Sequence, residues 1–341
     1  MNRKIAIHHY EGDFSDRWIE YCQKNQIEYQ LVDCYQNDII EVMKDFDILL
    51  WPWNLSHFES LQFAKELTYS LEKMGKVVFP SFKTSYFYDN KVGQKYLLES
   101  INAPAIPSYV FYEKEDALNW IEKTSFPKVF KLSGGAGSMN VKLCYTKDKA
   151  KKYIKQAFGK GFSQVDRVVW FKDKMKKFKE NPSKNSFKNF IKSFGRLFVP
   201  TQKEKGMSKE KGYIYFQEFI PKNTFDIRII TIGNRAIGIK RLCRDGDFRA
   251  SGSGKIIYDK DQIDLESIKI AFDTSSKLDV QCMAYDFVYD ENNKPLIVEM
   301  SYHFSPSAYD NCQGYWDDSL KWHNININPQ EIIIEFLLKN S

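Results

Sequence analysis

The segment "MAYDFVYDENNKPLIVEMS", residues 283–301, constrains this chain more than any other. Two apolar runs flank "DENNKP", and each is interrupted by one carboxylate, Asp286 or Glu299. Runs of this kind read as the antiparallel strands of a hairpin. A two-residue turn at Asn292–Asn293 suits asparagine's tolerance of left-handed backbone. Asp290 then faces Pro295, and Asp286 faces Glu299. Carboxylates directly opposite in a sheet repel each other. A bound cation relieves this, and hard oxygen ligands select Mg²⁺. An arginine partner relieves it equally, and arginines are abundant nearby. Alternation puts Ser301 on the face of Glu299.

Those arginines lie just upstream. "FDIRIITIG" and "IKRLCRDGDFRASGSG" carry Arg228, Arg241, Arg244 and Arg249 on closely spaced strands, with Asp226 in the alternation register of Arg228. Guanidinium forks match carboxylates and phosphates. Further upstream, "FPKVFKLSGGAGSMNVKLCY" places a glycine-rich turn between two strand signals, with Lys131 just before Gly134, Gly135, Gly137 and Ser138. Consecutive N–H groups in such a turn can cradle phosphate oxygens, or the turn is simply a hairpin tip. It is not a Walker A loop, because GxxxxGK[ST] is absent.

The first eighty residues alternate strand and helix signals ("KIAIHH", "DRWIEYCQKN", "IEYQLVD", "FDILLWPW", "KVVFP"), which predicts a small parallel sheet. Their first turn does not match GxGxxG, so no dinucleotide site is expected. The 341 residues suffice for two or three domains. No apolar run reaches membrane-span length and no signal peptide is evident, so a cytoplasmic chain is expected. Six scattered cysteines without a CxxC pair predict reduced thiols.

The net charge of +6 hides an asymmetry. Residues 151–211 hold 18 Lys/Arg against 5 Asp/Glu, a net of +13, and the remainder holds 32 against 39, or −7. Within this insert, "SFKNFIKSFGRLF" aligns Phe187, Phe190, Ile191, Phe194, Leu197 and Phe198 on one helical face and Lys188, Lys192 and Arg196 on another. Three readings fit: an in-plane helix on anionic lipid, a packed helix pair with a solvated basic face, or a lid that docks a phosphate-bearing acceptor. No nucleic-acid-binding motif accompanies the charge.

From about residue 85 onward the chain resembles the ATP-grasp superfamily. The likeness rests on "DNK" (89–91), "FPKVFKLSGGAGS" (126–138), "FQEFIPKNTFDIRIITIG" (216–233), "GDFRASGSG" (246–254), "YDF" (285–287) and "VEMS" (298–301), in that order. The resemblance implies an αβ N-terminal domain (1–82) and an α+β ATP-grasp fold of two subdomains (83–215, carrying the insert at 151–212, and 216–341) that clamp ATP. It implies that Lys91 and Lys131 contact phosphates and that the hairpin at 134–138 covers them. Gln217, Glu218, Phe219 and Ile220 match the linker that meets adenine. Asp286 and Glu299 match the Mg²⁺ ligands, Ser301 stands where asparagine is usual, and His303 or water could replace that amide. Arg241 and Arg249 match positions that face the acyl phosphate, and Asp226 and Arg228 match a DxR pair. The implied chemistry joins a small-molecule carboxylate to an amine through an acyl phosphate, with ATP and Mg²⁺. "DFRASGSG" and "GYWD" resemble a branch encoded among bacterial surface-polysaccharide genes, which implies a sugar-linked substrate. A peptide-type ligase and an ATP-binding scaffold are the alternatives. Other expected partners are a second copy of the chain and an anionic membrane surface through 167–198. Nucleic acid is not expected.

Overall fold

The computed structural model describes residues 3–134, 140–164, 167, 171, 174–175, 178, 182–199, 208–243, 248–249 and 254–340. The strands are β1 (Ile5–Ile7), β2 (Tyr29–Leu31), β3 (Ile48–Leu50), β4 (Val77–Phe79), β5 (Ser108–Phe111), β6 (Lys128–Lys131), β7 (Val141–Cys144), β8 (Ile214–Glu218), β9 (Phe225–Ile232), β10 (Arg235–Leu242), β11 (Ile256–Ile257), β12 (Cys282–Tyr289), β13 (Pro295–Ser301), β14 (Tyr315–Asp317) and β15 (Trp322–His323). The main helices are α1 (Phe14–Lys24), α2 (Phe58–Lys73), α3 (Lys91–Ser100), α4 (Lys114–Lys123), α5 (Lys147–Ala157), α6 (Lys184–Phe198), α7 (Leu265–Leu278) and α8 (Pro329–Asn340). The chain divides into two compact units, one of residues 1–88, 96–105 and 220–341, the other of 89–95 and 106–219.

The larger unit holds two sheets. Its parallel sheet has the order β2-β1-β3-β4, as the strand–helix alternation predicts. Strands β1 and β3 are wholly buried, which is why they read as unbroken apolar runs. Helix α1 begins at Asp13, whose carboxylate accepts from the Phe14 N–H, and buries Phe14, Trp18 and Cys22, one turn apart. The second sheet is antiparallel, in the order β13-β12-β9-β10-β14-β15 with β11 beside β10. Helix α7 covers one face, where Ser275 bonds both Thr231 (2.6 Å) and Tyr285 (2.8 Å). The Trp18 indole donates to the Gln330 carbonyl at 3.0 Å, joining α1 to α8. The first eighty-eight residues thus share one core with the C-terminal sheet.

The hairpin of β12 and β13 departs from the expected turn. Asp290 N donates to Lys294 O (3.0 Å), so the loop is Glu291–Asn293, with Asn293 left-handed at φ 59°. This is one residue longer than an Asn292–Asn293 turn, and Tyr289, not Asp290, faces Pro295. A β-bulge at Val298 then shifts the register back, and Asp286 faces Glu299 as expected. The bulge has a second effect. Strict alternation would put Glu299 on the buried face of Pro295 and Ile297. Instead Met300 takes the buried side, and Val298, Glu299 and Ser301 are half-exposed.

The smaller unit has an antiparallel sheet, β5-β8-β6-β7, with α4 and α5 packed on its core. Strand β8 joins this sheet, although its sequence reads as continuous with β9. Strands β6 and β7, which flank the glycine-rich segment, pair antiparallel, as expected, and residues 135–139 lie outside the described residues. Residues 151–157 of the basic stretch complete α5, which buries Ala150, Ile154 and Ala157. The rest of the insert leaves and returns through a two-bond bridge, Phe162 to Glu210, at 2.9 Å each. All six cysteines are free.

The β9–β10 turn is closed by Gly233 at φ +55°, where a Cβ would meet Phe336 of α8 at 2.5 Å. Left-handed backbone and overpacking together should cost Gly233→Ala about 2–4 kcal/mol. A thermal melt should show this loss, and trimming Phe336 to Ala in the same chain should recover part of it. An unchanged melt of the single variant would show that the turn and α8 are loosely packed.

Candidate active site

In the larger unit, alternation puts Asp226 and Arg228 on the face of the antiparallel sheet opposite α7. Their cross-strand partners are charged as well: Arg241 faces Asp226, and Asp286 faces Arg228. Arg228 grips Asp286 with both prongs, Nε to Oδ1 at 2.5 Å and Nη2 to Oδ2 at 2.8 Å. Arg241 grips Asp226 likewise, at 2.7 and 2.6 Å, and its Nη2 reaches Asp286 Oδ2 at 2.9 Å. Two guanidiniums and two carboxylates therefore neutralise each other in a site where Asp226, Arg241 and Asp286 are each 9 % exposed or less. Burial raises the Asp286 pKa, but Arg228 and Arg241 more than offset it and hold the carboxyl well below the usual range. Burial and the Asp286 charge push Asp226 the other way, with Arg241 opposing. Asp286 thus takes one of the two forms of relief weighed from the sequence, an arginine partner.

Glu299 is the next residue across from Asp286. The clamp uses three acceptor positions of Asp286 and leaves one on Oδ1. With the Glu299 carboxylate, this is a hard-oxygen pair of the kind that holds Mg²⁺ together with phosphates and water. Ser301 does not add to it. Its hydroxyl donates to the His303 carbonyl (2.7 Å) and accepts from the His303 N–H (3.2 Å), closing a local turn. His303 is committed too, with Nε2 bonded to Asp13 at 2.8 Å and its ring stacked on Phe14. Among the described residues, no cluster of three or more His, Cys, Asp or Glu side chains could hold a metal. Tyr309, which the sequence did not single out, brings a buried hydroxyl with no hydrogen-bond partner among the described residues into the field of Arg228 and Arg241. Arg249 lies 6.0 Å over the neighbouring Phe248 ring, and Arg244 lies outside the described residues.

The smaller unit carries the lysines. Lys91 and Lys131 are each 5 % exposed. Asn90 accepts from Gly93 N (2.8 Å), capping α3, and from Ser133 Oγ (2.9 Å), while Lys91 N donates to Ser133 O (2.9 Å). "DNK" is thereby tied to the mouth of the glycine-rich hairpin. There, Ser133 N and Gly134 N both donate to the Glu210 carboxylate, at 2.9 and 3.1 Å, and the Tyr213 hydroxyl also donates to it. These N–H groups already hold a pair of anionic oxygens, which is the chemistry a phosphate cradle needs. A Cβ on Gly134 would come within 3.3 Å of the Asp89 and Glu210 carboxylates. Gly135, Gly137 and Ser138 lie outside the described residues. Gln217 donates to Ser108 (3.1 Å), Glu218 pairs with Lys128 (2.7 Å), and the chain passes from one unit to the other between Phe219 and Ile220. Glu210 and Tyr213 escape sequence reading because they stand about 80 residues from the loop they bind.

This architecture, with a glycine-rich segment in one unit and a carboxylate pair beside arginines in the other, is the ATP-grasp fold. The chain matches, over its residues 163–308, the model of the RimK-like ATP-grasp domain. It is 24 % identical over 238 residues to the alpha-aminoadipate–LysW ligase LysX of Saccharolobus solfataricus, covering 66 % of this chain and 67 % of that protein. Among solved structures it is similar to the D-alanine–D-alanine ligase of Bacillus anthracis in complex with ATP (TM-score 0.59, 15 % identity, 100 % and 98 % of the two chains). It is also similar to a RimK domain ATP-grasp protein of Sphaerobacter thermophilus (TM-score 0.56, 14 % identity, 98 % and 99 %).

Removing one carboxylate from the cluster leaves two buried guanidiniums short of a partner. Asp286→Asn should therefore lose about 3–5 kcal/mol in urea unfolding at neutral pH. The sign with pH follows from the direction of the shift. The folded-state pKa lies below the unfolded one, so this stabilisation is full above about pH 4 and is lost as pH falls further. The variant's acid-side decline should be shallower than the wild type's, and parallel curves would refute the clamp.

Proposed function

We propose that this chain is an ATP- and Mg²⁺-dependent carboxylate–amine ligase whose amine substrate is an amino acid. The observation that carries the reading is the pairing of Asp286 with Glu299 beside the buried Arg241 and the partly buried Arg228. Electrostatic positioning of this kind is what phosphoryl transfer requires.

The γ-phosphoryl of ATP passes to an oxygen of the substrate carboxylate, releasing ADP and forming an acyl phosphate. The amine nitrogen then attacks the acyl carbon, phosphate leaves with the electron pair of the broken C–O bond, and the amine gives up a proton as the amide forms. Lys91, Lys131 and the N–H groups of Ser133 and Gly134 bind phosphate oxygens, and a bound nucleotide takes the place of the Glu210 carboxylate on those donors. Arg228 and Arg241 orient Asp286 and offset the negative charge of the acyl phosphate, and the Tyr309 hydroxyl supplies a further donor. Asp286 and Glu299 are the residues that would hold Mg²⁺, which would supply positive charge against the phosphates. The adenine falls to the segment 217–220.

The amino-acid assignment is supported by the relative named as an alpha-aminoadipate–LysW ligase. A second reading, a sugar-linked acid or amine in surface-polysaccharide synthesis, rests on "DFRASGSG" and "GYWD". The latter lies on strand β14, which pairs with β10 and β15, with Trp316 buried and Asp317 bonded to His323 at 2.6 Å, so it serves the sheet and carries little substrate information.

An ADP-release screen separates the readings. Turnover that needs an amino acid and a carboxylated peptide or protein supports the first, and turnover that needs a uronic-acid nucleotide supports the second. Tight ATP binding with no turnover would leave a scaffold. Glu299→Gln should lower ADP formation by on the order of a hundredfold and raise the Mg²⁺ concentration required, with an unchanged melt. Wild-type activity in that variant would remove Glu299 from the site.

A further inference from the structure

Helix α6 is built to start where it does: Ser183 and Ser186 form a reciprocal capping box. Beyond the cap, its surface divides into three stripes. One is packed, with Ser193 fully buried and Phe190 within 5.5–5.7 Å of the Phe171 and Phe178 rings. The second is apolar and wet: Phe187, Ile191 and Phe194 are 49 %, 53 % and 55 % exposed. Their spacing of four and three residues aligns them along one side of the helix. The third is basic, with Lys188, Lys192 and Arg196 exposed at every fourth position. The helix contains no acidic residue.

A packed helix pair accounts for the first stripe and a solvated basic face for the third. The helix pair also reaches Phe187, 5.5 Å from the Phe178 ring, and Phe194, 6.0 Å from the Phe171 ring, yet about half of each and of Ile191 stays exposed in a row, and such a row on a soluble domain marks a contact surface. Among the described residues no helix is long and apolar enough to cross a membrane, which leaves an in-plane arrangement. The charge selects the occupant. Residues 151–211 carry a net of +13, so two copies of this surface repel, whereas an anionic bilayer attracts it. We infer that α6 is a membrane-surface helix that inserts Phe187, Ile191 and Phe194 among anionic lipid headgroups while Lys188, Lys192 and Arg196 pair with them. This inference stands apart from the ligase reading.

Co-sedimentation of the full chain with vesicles tests it. Binding is expected to vesicles of phosphatidylglycerol mixed with phosphatidylcholine at about 0.05 M salt, and not to phosphatidylcholine alone, with at least a tenfold loss at about 0.5 M salt. Phe187→Ser/Ile191→Ser/Phe194→Ser and Lys188→Gln/Lys192→Gln/Arg196→Gln should each weaken binding tenfold or more while ATP binding is unchanged. If circular dichroism shows the apolar triple variant misfolded, Ile191→Ser alone is read, with a loss of at least threefold expected. Failure of the wild type to sediment with the anionic vesicles would overturn the inference. So would variants that bind like the wild type, or a dimer in light scattering that the apolar substitutions dissociate without any vesicle binding.

Discussion

Everything proposed for the larger unit depends on one ionic cluster, the alternating square of Arg228, Asp286, Arg241 and Asp226. Desolvating four charges is expensive, and apolar residues of similar size would stabilise the sheet as well or better. What the cluster provides is orientation. Each guanidinium is held in a two-pronged grip by the strand beside it, so strands β9, β10 and β12 are locked in register. The same grip fixes the Asp286 carboxylate and leaves one acceptor position beside Glu299. A carboxylate that is already clamped would lose little further freedom if a cation bound it, which is the physical content of preorganisation.

The smaller unit solves a matching problem with backbone donors. The N–H groups of Ser133 and Gly134 would be costly to leave unpaired in a partly buried loop, and the Glu210 carboxylate occupies them. Glu210 also closes the bridge through which the basic insert leaves and returns. One residue therefore connects the hairpin's anion-binding groups with the base of the insert.

The comparisons place these parts in a known architecture at low identity, and they leave substrate choice to the site. Here the departures from the family pattern matter most. Ser301, at the position where asparagine is usual, is turned into its own backbone turn, and His303 is held by Asp13. Both side chains are thus engaged locally, and the proposed reading leaves a cation to Asp286, Glu299 and the nucleotide's phosphates.

Local pattern determined a good deal of this protein. Periodicity of two and the turn residues around "DENNKP" made the hairpin legible, and alternation alone paired Asp286 with Glu299 and aligned Asp226 with Arg228. Strand–helix alternation made the parallel sheet legible, and helical periodicity marked the stripes of α6. The tertiary structure decided what period and spacing do not encode. A longer loop and a bulge at Val298 offset each other, so the facing pair was read correctly through a turn that was not. The bulge also turned Glu299 away from the core, a choice made by packing around Ile297 and Met300. Contacts across long sequence separations, such as Glu210 with Gly134, His303 with Asp13 and Tyr309 beside Arg228, exist only because distant segments share a core. A sequence lists which groups are available, and only the packed chain assigns each buried charge its partner, since an unpaired one costs more than the fold can bear.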